Sequence, residues 1–284
     1  MSQFVWEADP PELRAPILVA AFEGWFDVGG AATNALEWLT ERGSSQHLAS
    51  LDPDEFYDFT ERRPLTYIEG GRREIAWPTV DVHALHLADS DRDLVVMVGV
   101  EPHLMWRSFV ESVADVAERC DVALLVTLGA VLAEVPHTRP FSVTGSTGDL
   151  DLAEVLRLDP PSYQGPTGVV GVLHAHFQDR DTPAVSLRVA EPHYASGAPN
   201  PKASRALLER LERVTGLPTG WADLDAAADE WEARVNEAMN DDEDILEYVE
   251  SLERRADALA ARDMPSPDDL AAEFERFLRQ QGRD

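Results

Sequence analysis

The apolar residues fall into two kinds of pattern. Residues 16–22, PILVAAF, form an unbroken apolar run of strand length, as expected of a strand covered on both faces. The same signature returns at residues 94–100, LVVMVGV, and at 122–130, VALLVTLGA. Between these two, Trp106, Phe109, Val110, Val113 and Val116 recur at helical spacing. The stretch therefore reads strand, helix, strand, which predicts neighbouring parallel strands joined by a right-handed crossover. In AATNALEWLTERG, just after the first strand, Ala32, Leu36 and Leu39 share one helical face and Gly43 supplies the stop.

Residues 55–87 change character. Short β-prone pieces, TYIEG, REIAWP and VDVHALHL, are punctuated by Pro64, Gly70, Gly71 and Pro78, which predicts hairpin or edge strands added to the main sheet. A second βαβ-like stretch follows further on: a helix in TGVVGVLHAHFQDRD, a strand in PAVSLRVAE and a helix in PKASRALLERLERVTG. In the last, Leu207, Leu208, Leu211 and Val214 mark one face, and Gly216 with Pro218 ends it.

Beyond Gly220 the strand signals stop. Residues 221–284 hold 20 acidic and 7 basic side chains, a net of −13. Ile245, Val249, Leu252, Ala256 and Leu259 repeat at spacings of four and three, the narrow apolar seam of an amphipathic helix. Trp231 and Val235 belong to a helix before it, and Leu270, Phe274, Phe277 and Leu278 to one after it. The expected organisation is an α/β domain over residues 1–220 and an acidic, all-helical appendage over 221–284. The appendage packs its seam onto the core or serves as a lid or partner-binding arm.

Charge narrows the partners. With 53 acidic against 24 basic residues the formal net charge is −29, a field that disfavours nucleic acid and anionic membrane surfaces. No run approaches the roughly 18 apolar residues of a membrane helix, and the first residues lack the pattern of a secretion signal, so a cytoplasmic location is expected. The single cysteine, Cys120, cannot form an internal disulfide and reads as a buried, inert thiol. Lys202 is the sole lysine, so chemistry that needs a lysine for a Schiff base or for nucleotide phosphates depends on that residue.

Three loops after strands are the candidate sites, because ligands of α/β sheets collect at the carboxyl ends of the strands. The first carries Gly24, Asp27, Gly29 and Gly30; Asp27 reads first as a helix cap and second as a catalytic acid or metal ligand. The second runs from Gly129 and gathers Glu134 with His137, Thr138 and Arg139, the last three between Pro136 and Pro140. There Glu134 or His137 would act as general acid or base and Arg139 would bind an anion, or the group is a structural hydrogen-bond network. The third, with Gly165, Thr167 and Gly168, carries no acid and opens a helix, which suits a small anion, above all if Arg139 lies beside it. His174 with His176, and His83 with His86, do not share a face, so no metal site is expected, and no GxSxG elbow is present. No cofactor is implied.

Several blocks together, PILVAAFEGWFDVGGAATNAL, GAVLAEVPHTRP, SVTGS, GPTGVVGVLH and SLRVAEPHY, resemble the actinobacterial branch of the proteasome-assembly-chaperone-two family over roughly residues 16–215. The acidic helical segment resembles that branch's C-terminal extension. The resemblance implies a three-layer α/β/α, phosphorylase/hydrolase-like fold with a mixed sheet, and a homo-oligomer. It implies a protein-interaction or assembly factor; the alternative is a small-molecule binder or enzyme of phosphorylase or hydrolase type. Related chaperones engage the proteasome through a terminal hydrophobic residue, a Tyr and any residue, whereas this chain ends Gln280-Gln281-Gly282-Arg283-Asp284. The family label of carboxylate-amine ligase implies nucleotide-gripping lysines, for which this chain has Lys202 alone.

Overall fold

The computed structural model describes residues 3–263 apart from Gly43, Asp89, Asp181 and Ala198. Its strands are β1 (Phe4–Trp6), β2 (Ile17–Glu23), β3 (Ser44–Leu51), β4 (Leu65–Glu69), β5 (Arg72–Ala76), β6 (Val80–His86), β7 (Leu94–Val100), β8 (Leu124–Ala133), β9 (Val143–Thr147) and β10 (Ala184–Pro192). Its helices are α1 (Ala31–Arg42), α2 (Trp106–Arg119), α3 (Leu150–Leu156), α4 (Val169–Gln178), α5 (Pro201–Thr215), α6 (Asp225–Met239) and α7 (Glu243–Asp263).

Eight strands make one mixed sheet in the order β1-β3-β6-β7-β2-β8-β10-β9. Its centre, β7-β2-β8-β10, is parallel, and the strands outside it run antiparallel to their neighbours. The unbroken apolar runs have a direct cause. Along β2, Ile17, Val19 and Ala21 face one core while Leu18, Ala20 and Phe22 face the other. Along β7, Leu94, Val96 and Val98 alternate in the same way with Val95 and Met97. The first core is closed by Leu36 and Leu39 of α1 and by Leu207, Leu208 and Leu211 of α5. Phe109, Val110 and Val113 of α2 with Leu173 and Phe177 of α4 close the second. The molecule is thus a three-layer α/β/α sandwich, the layering that a parallel centre requires.

The expected adjacency of residues 94–100 and 122–130 needs correction. Both are parallel strands, but β2 lies between them, pairing Ile17 with Leu94 on one side and with Leu124 on the other. The crossover through α2 therefore skips one strand, because the earlier β2 already holds the central place. The pieces between residues 55 and 87 also divide differently. β6 joins the main sheet between β3 and β7, whereas β4 and β5 pair only with each other as a separate hairpin. The helix predicted from residue 167 begins at Val169. Gly43, expected to stop α1, and Leu270, Phe274, Phe277 and Leu278 lie outside the described residues.

On the amino side of the sheet one ion pair ties the first loop to β7. The Asp93 carboxylate, fully buried, accepts from Arg14 Nη2 at 2.6 Å, from Arg14 Nε at 3.1 Å, and from the backbone N–H groups of Arg14 and Leu87 at 2.9 and 3.2 Å. Four donors on one carboxylate, the Arg14 side chain first among them, hold its pKa well below the usual range.

Candidate functional site

The carboxyl ends of β2 and β7 open on a cleft of about 1050 Å³. Glu23, Gly24, Trp25, Asp27, Gly29 and Gly30 line it from the β2 side, Glu101 and His103 from the β7 side, and Thr167 and Gly168 from the start of α4. Two of the three predicted loops therefore converge. None of Glu134, His137, Thr138 and Arg139 lines this cleft.

Asp27 is a helix cap. Its Oδ1 accepts the Ala32 N–H at 2.7 Å, and its Oδ2 accepts the Thr33 N–H at 3.2 Å and the Thr33 hydroxyl at 2.6 Å. The chain reaches it through left-handed backbone at Gly29 and Gly30 (φ 61° and 67°), which glycine adopts without a Cβ penalty. Burial pushes the Asp27 carboxyl up from its ordinary pKa, and the Thr33 hydroxyl and two N–H donors pull against that rise. Gly129 serves packing: a Cβ there would stand 2.0 Å from the Phe26 ring. Phe26 lies against β8 in that space, and its carbonyl accepts the Ala130 N–H at 2.8 Å.

The predicted anion cradle at the start of α4 already holds a carboxylate. Glu101 Oε1 accepts the Val169 N–H at 2.9 Å, and Oε2 accepts the Trp25 N–H at 3.3 Å. Gly24 and Gly168 flank this side chain, where a Cβ on either would press on it at 2.7 and 2.9 Å. Gly165 (φ 157°) sits nearby in the same loop, with the Tyr163 hydroxyl donating to the Pro166 carbonyl at 2.8 Å. The helix dipole is thus answered from within the protein by a side chain 68 positions away in sequence. Glu101 was missed in sequence because no local motif marks it.

The second loop is engaged by the acidic C-terminal helices. Arg139 makes a two-pronged pair with Asp257 at 2.7 and 2.9 Å and a further contact with Glu253 at 3.3 Å. Thr138 donates to Glu253, and Glu134 pairs with Arg255 at 3.0 Å. His137 is buried. Its Nε2 lies 3.0 Å from Asn236 Oδ1 of α6, and its Nδ1 lies 3.0 Å from the Tyr194 hydroxyl. With the amide oxygen accepting, Nε2 carries the proton and Nδ1 accepts from Tyr194. Burial lowers the His137 pKa and keeps the ring neutral. Lys202 bridges the His137 carbonyl and Glu232, both at 2.5 Å. Of the two sequence readings of this loop, the hydrogen-bond network describes these contacts.

Glu191, at the end of β10, carried no sequence signal. It is fully buried; Oε2 accepts from Asn200 Nδ2 at 2.8 Å while Oε1 has no hydrogen-bond partner. Burial pushes its pKa up to about 7, with the charge of Asp27 adding to the rise. His174 and His176 diverge on α4, His174 Nε2 lying 2.8 Å from the Thr127 hydroxyl and His176 packing on Phe177. At the far side of the sheet Ser50 lies 3.1 Å from His47 Nε2, but its hydroxyl donates to Asp81 at 2.6 Å, so the hydrogen is not offered to the imidazole. Cys120 is buried, and burial pushes its thiol up to about 11, which leaves it protonated.

The cleft that remains open is acidic. Glu23, Asp27, Glu37, Asp58, Glu61 and Glu101 line it against the single guanidinium of Arg62. Burial raises the Glu37 carboxyl, and Glu41, Glu23 and Asp27 raise it further. Trp25 (67% exposed), Leu104 and Met105 stand exposed beside the acidic floor. These features define a three-layer α/β/α protein whose carboxyl rim is an open acidic groove with apolar side chains at its margin.

The chain belongs to the PAC2 family, which matches residues 21–239. A PAC2 family protein from Streptomyces avermitilis is 42% identical over 82% of this chain and 99% of its own, with a TM-score of 0.78. A proteasome-assembly chaperone homologue from Mycobacterium tuberculosis is 38% identical over 82% of this chain and 99% of its own, with a TM-score of 0.75. An archaeal proteasome activator from Pyrococcus furiosus, 16% identical over 84% of this chain and 99% of its own, shares the fold with a TM-score of 0.67. No curated protein matches the chain. No helix among the described residues is long and apolar enough to cross a membrane.

Proposed function

We propose that this protein is a cytoplasmic assembly factor that binds protein partners through the acidic groove at the carboxyl rim. The observation that carries the reading is the groove itself: six carboxylates around one arginine, beside Trp25, Leu104 and Met105 exposed to solvent. Such a surface selects a basic segment with an apolar anchor; the carboxylates steer and orient the partner, and the aromatic and aliphatic side chains supply the desolvated contact. A cationic segment suits the groove better than the small anion expected from the sequence, since Glu101 already occupies the start of α4. Family membership and the proteasome-related descriptions of relatives point to proteasome subunits as the first partners to test. Residues 1–220 would form the binding unit, and the acidic segment 221–284 an appendage clasped to it through Arg139.

The test is binding of the full chain to purified proteasome α-subunits, measured by sedimentation. The wild type should bind, and binding should weaken as ionic strength rises, because the Debye length shrinks to about 8 Å at 0.15 M salt. A variant carrying Glu37→Lys and Glu61→Lys should bind at least about tenfold more weakly. Equal binding by this variant would remove the groove from the interface.

A further inference from the structure

A second cavity, of about 240 Å³, lies against the base of the β4–β5 hairpin and adjoins the groove, with which it shares Glu23, Glu37 and Arg62. Neither strand of the hairpin pairs with the main sheet. Leu65 and Ala76, partners at the open end of the hairpin, and the adjoining Trp77 form one wall of the cavity. Val98 and Val100, at the end of β7, line it from the main sheet. Trp77 is steadied by Phe59, the ring centroids 4.9 Å apart, yet it remains 49% exposed, and Leu65 is 69% exposed. The hairpin thus presents uncovered apolar side chains at the mouth of a small enclosure.

The polar groups of the wall divide into those that are satisfied and those that are not. The Thr33 hydroxyl donates to Asp27 at 2.6 Å, and the Thr79 hydroxyl donates to the Leu51 carbonyl at 3.0 Å. Arg62 pairs with Glu23 at 2.6 Å. Of the four charged side chains that line the cavity, this leaves Glu37 and Arg63 without a side-chain partner among the described residues. Burial raises the Glu37 carboxyl, and the charges of Glu41, Glu23 and Asp27 raise it further, so the position lacks a cation. The two unanswered groups are opposite in sign and do not pair with each other. The volume falls below the roughly 300–1,000 Å³ of pockets for drug-sized ligands, which leaves room for one small molecule. A molecule that answers both groups carries a positive and a negative charge close together on an apolar body, the chemistry of an α-amino acid.

We propose that this cavity binds a free α-amino acid with an apolar side chain, its ammonium group on Glu37, its carboxylate on Arg63 and its side chain against Leu65 and Trp77. Both polar contacts are charge-assisted, and the guanidinium fork offers the carboxylate two parallel donors. The site is independent of the protein partner in the groove. Its test needs only the chain and small molecules, so either reading can fail without the other.

The experiment is isothermal titration of the full chain with L-leucine and L-phenylalanine, with their amides, which lack the carboxylate, and with their deamino acids, which lack the ammonium group. At least one of the two amino acids should bind with a dissociation constant under about 1 mM, and each of its truncated analogues should bind at least about tenfold more weakly. Glu37→Gln and Arg63→Gln should each weaken binding of the amino acid by at least about tenfold. Both side chains are exposed and unpaired, so circular dichroism of the variants should match the wild type. No binding of either amino acid up to about 10 mM, an amide or deamino acid that binds as tightly as its parent, or variants that bind as the wild type does would overturn the proposal.

Discussion

Glu101 Oε1 accepts the backbone N–H of Val169 at 2.9 Å, so the carboxylate that follows β7 caps the helix that precedes β10. Together with its contact to Trp25 it joins the β2, β7 and α4 loops into one rim.

Glu101→Ala should therefore loosen that rim. Losing a cap costs about 1 kcal/mol, and the melting temperature should fall by about 2–4 °C. The variant also frees a helix N-terminus, so sulfate should raise its melting temperature more than the wild type's. Equal sulfate effects would show that the carboxylate was not filling the site.

Glu191 predicts the pH trend of a carboxyl buried without a cation, opposite to that of a paired carboxylate. Its folded pKa of about 7 exceeds the unfolded one, so its favourable contribution is full below about 4.5 and is lost as pH rises through about 7. Glu191→Gln should remove that loss. The stability of the variant relative to wild type, from urea titrations, should increase between pH 5 and pH 8 by on the order of 3 kcal/mol. A difference independent of pH would contradict the burial of an ionising carboxyl.

Asp93 behaves in the reverse sense. Its depressed pKa means that the Arg14 contact stabilises above the unfolded carboxylate range and is lost as pH falls through the lower folded value. Asp93→Asn should destabilise the protein by about 2–3 kcal/mol at pH 7, and the difference should begin to shrink only below about pH 4 and keep shrinking as pH falls further, checked by thermal melts along a descending pH series.

The Arg139–Asp257 pair holds α7 to the loop after β8. Arg139→Ala and Asp257→Ala should each speed proteolytic cleavage between α6 and α7, and the double variant should be no faster than the quicker single one. Fully additive effects would mean that the two residues act apart.

How much of this was legible in sequence depended on whether the cause was local. β2 and β7 announced themselves because both faces are buried, leaving no polar position in the run. β3, SSQHLASL, escaped because its first three residues are exposed and its apolar content is confined to the end; β9, VTGST, has almost no apolar content. Asp27 was readable as a cap because its donors lie five and six residues on. Glu101 and the partners of Arg139 were not, because the groups they bind are 68 and more than a hundred positions distant. The insertion of β2 between β7 and β8 is likewise a long-range choice, to which a strand's own composition is blind.

That insertion has a consequence for synthesis. β2 leaves the ribosome early, yet its two partners are the strands at Leu94 and Leu124, so the middle of the sheet stays unpaired until nearly half the polypeptide has been made. A very apolar segment must wait through that interval, a state in which nascent chains are prone to aggregate. The yield of native protein should thus depend on translation speed and holdase supply across the first half of the message.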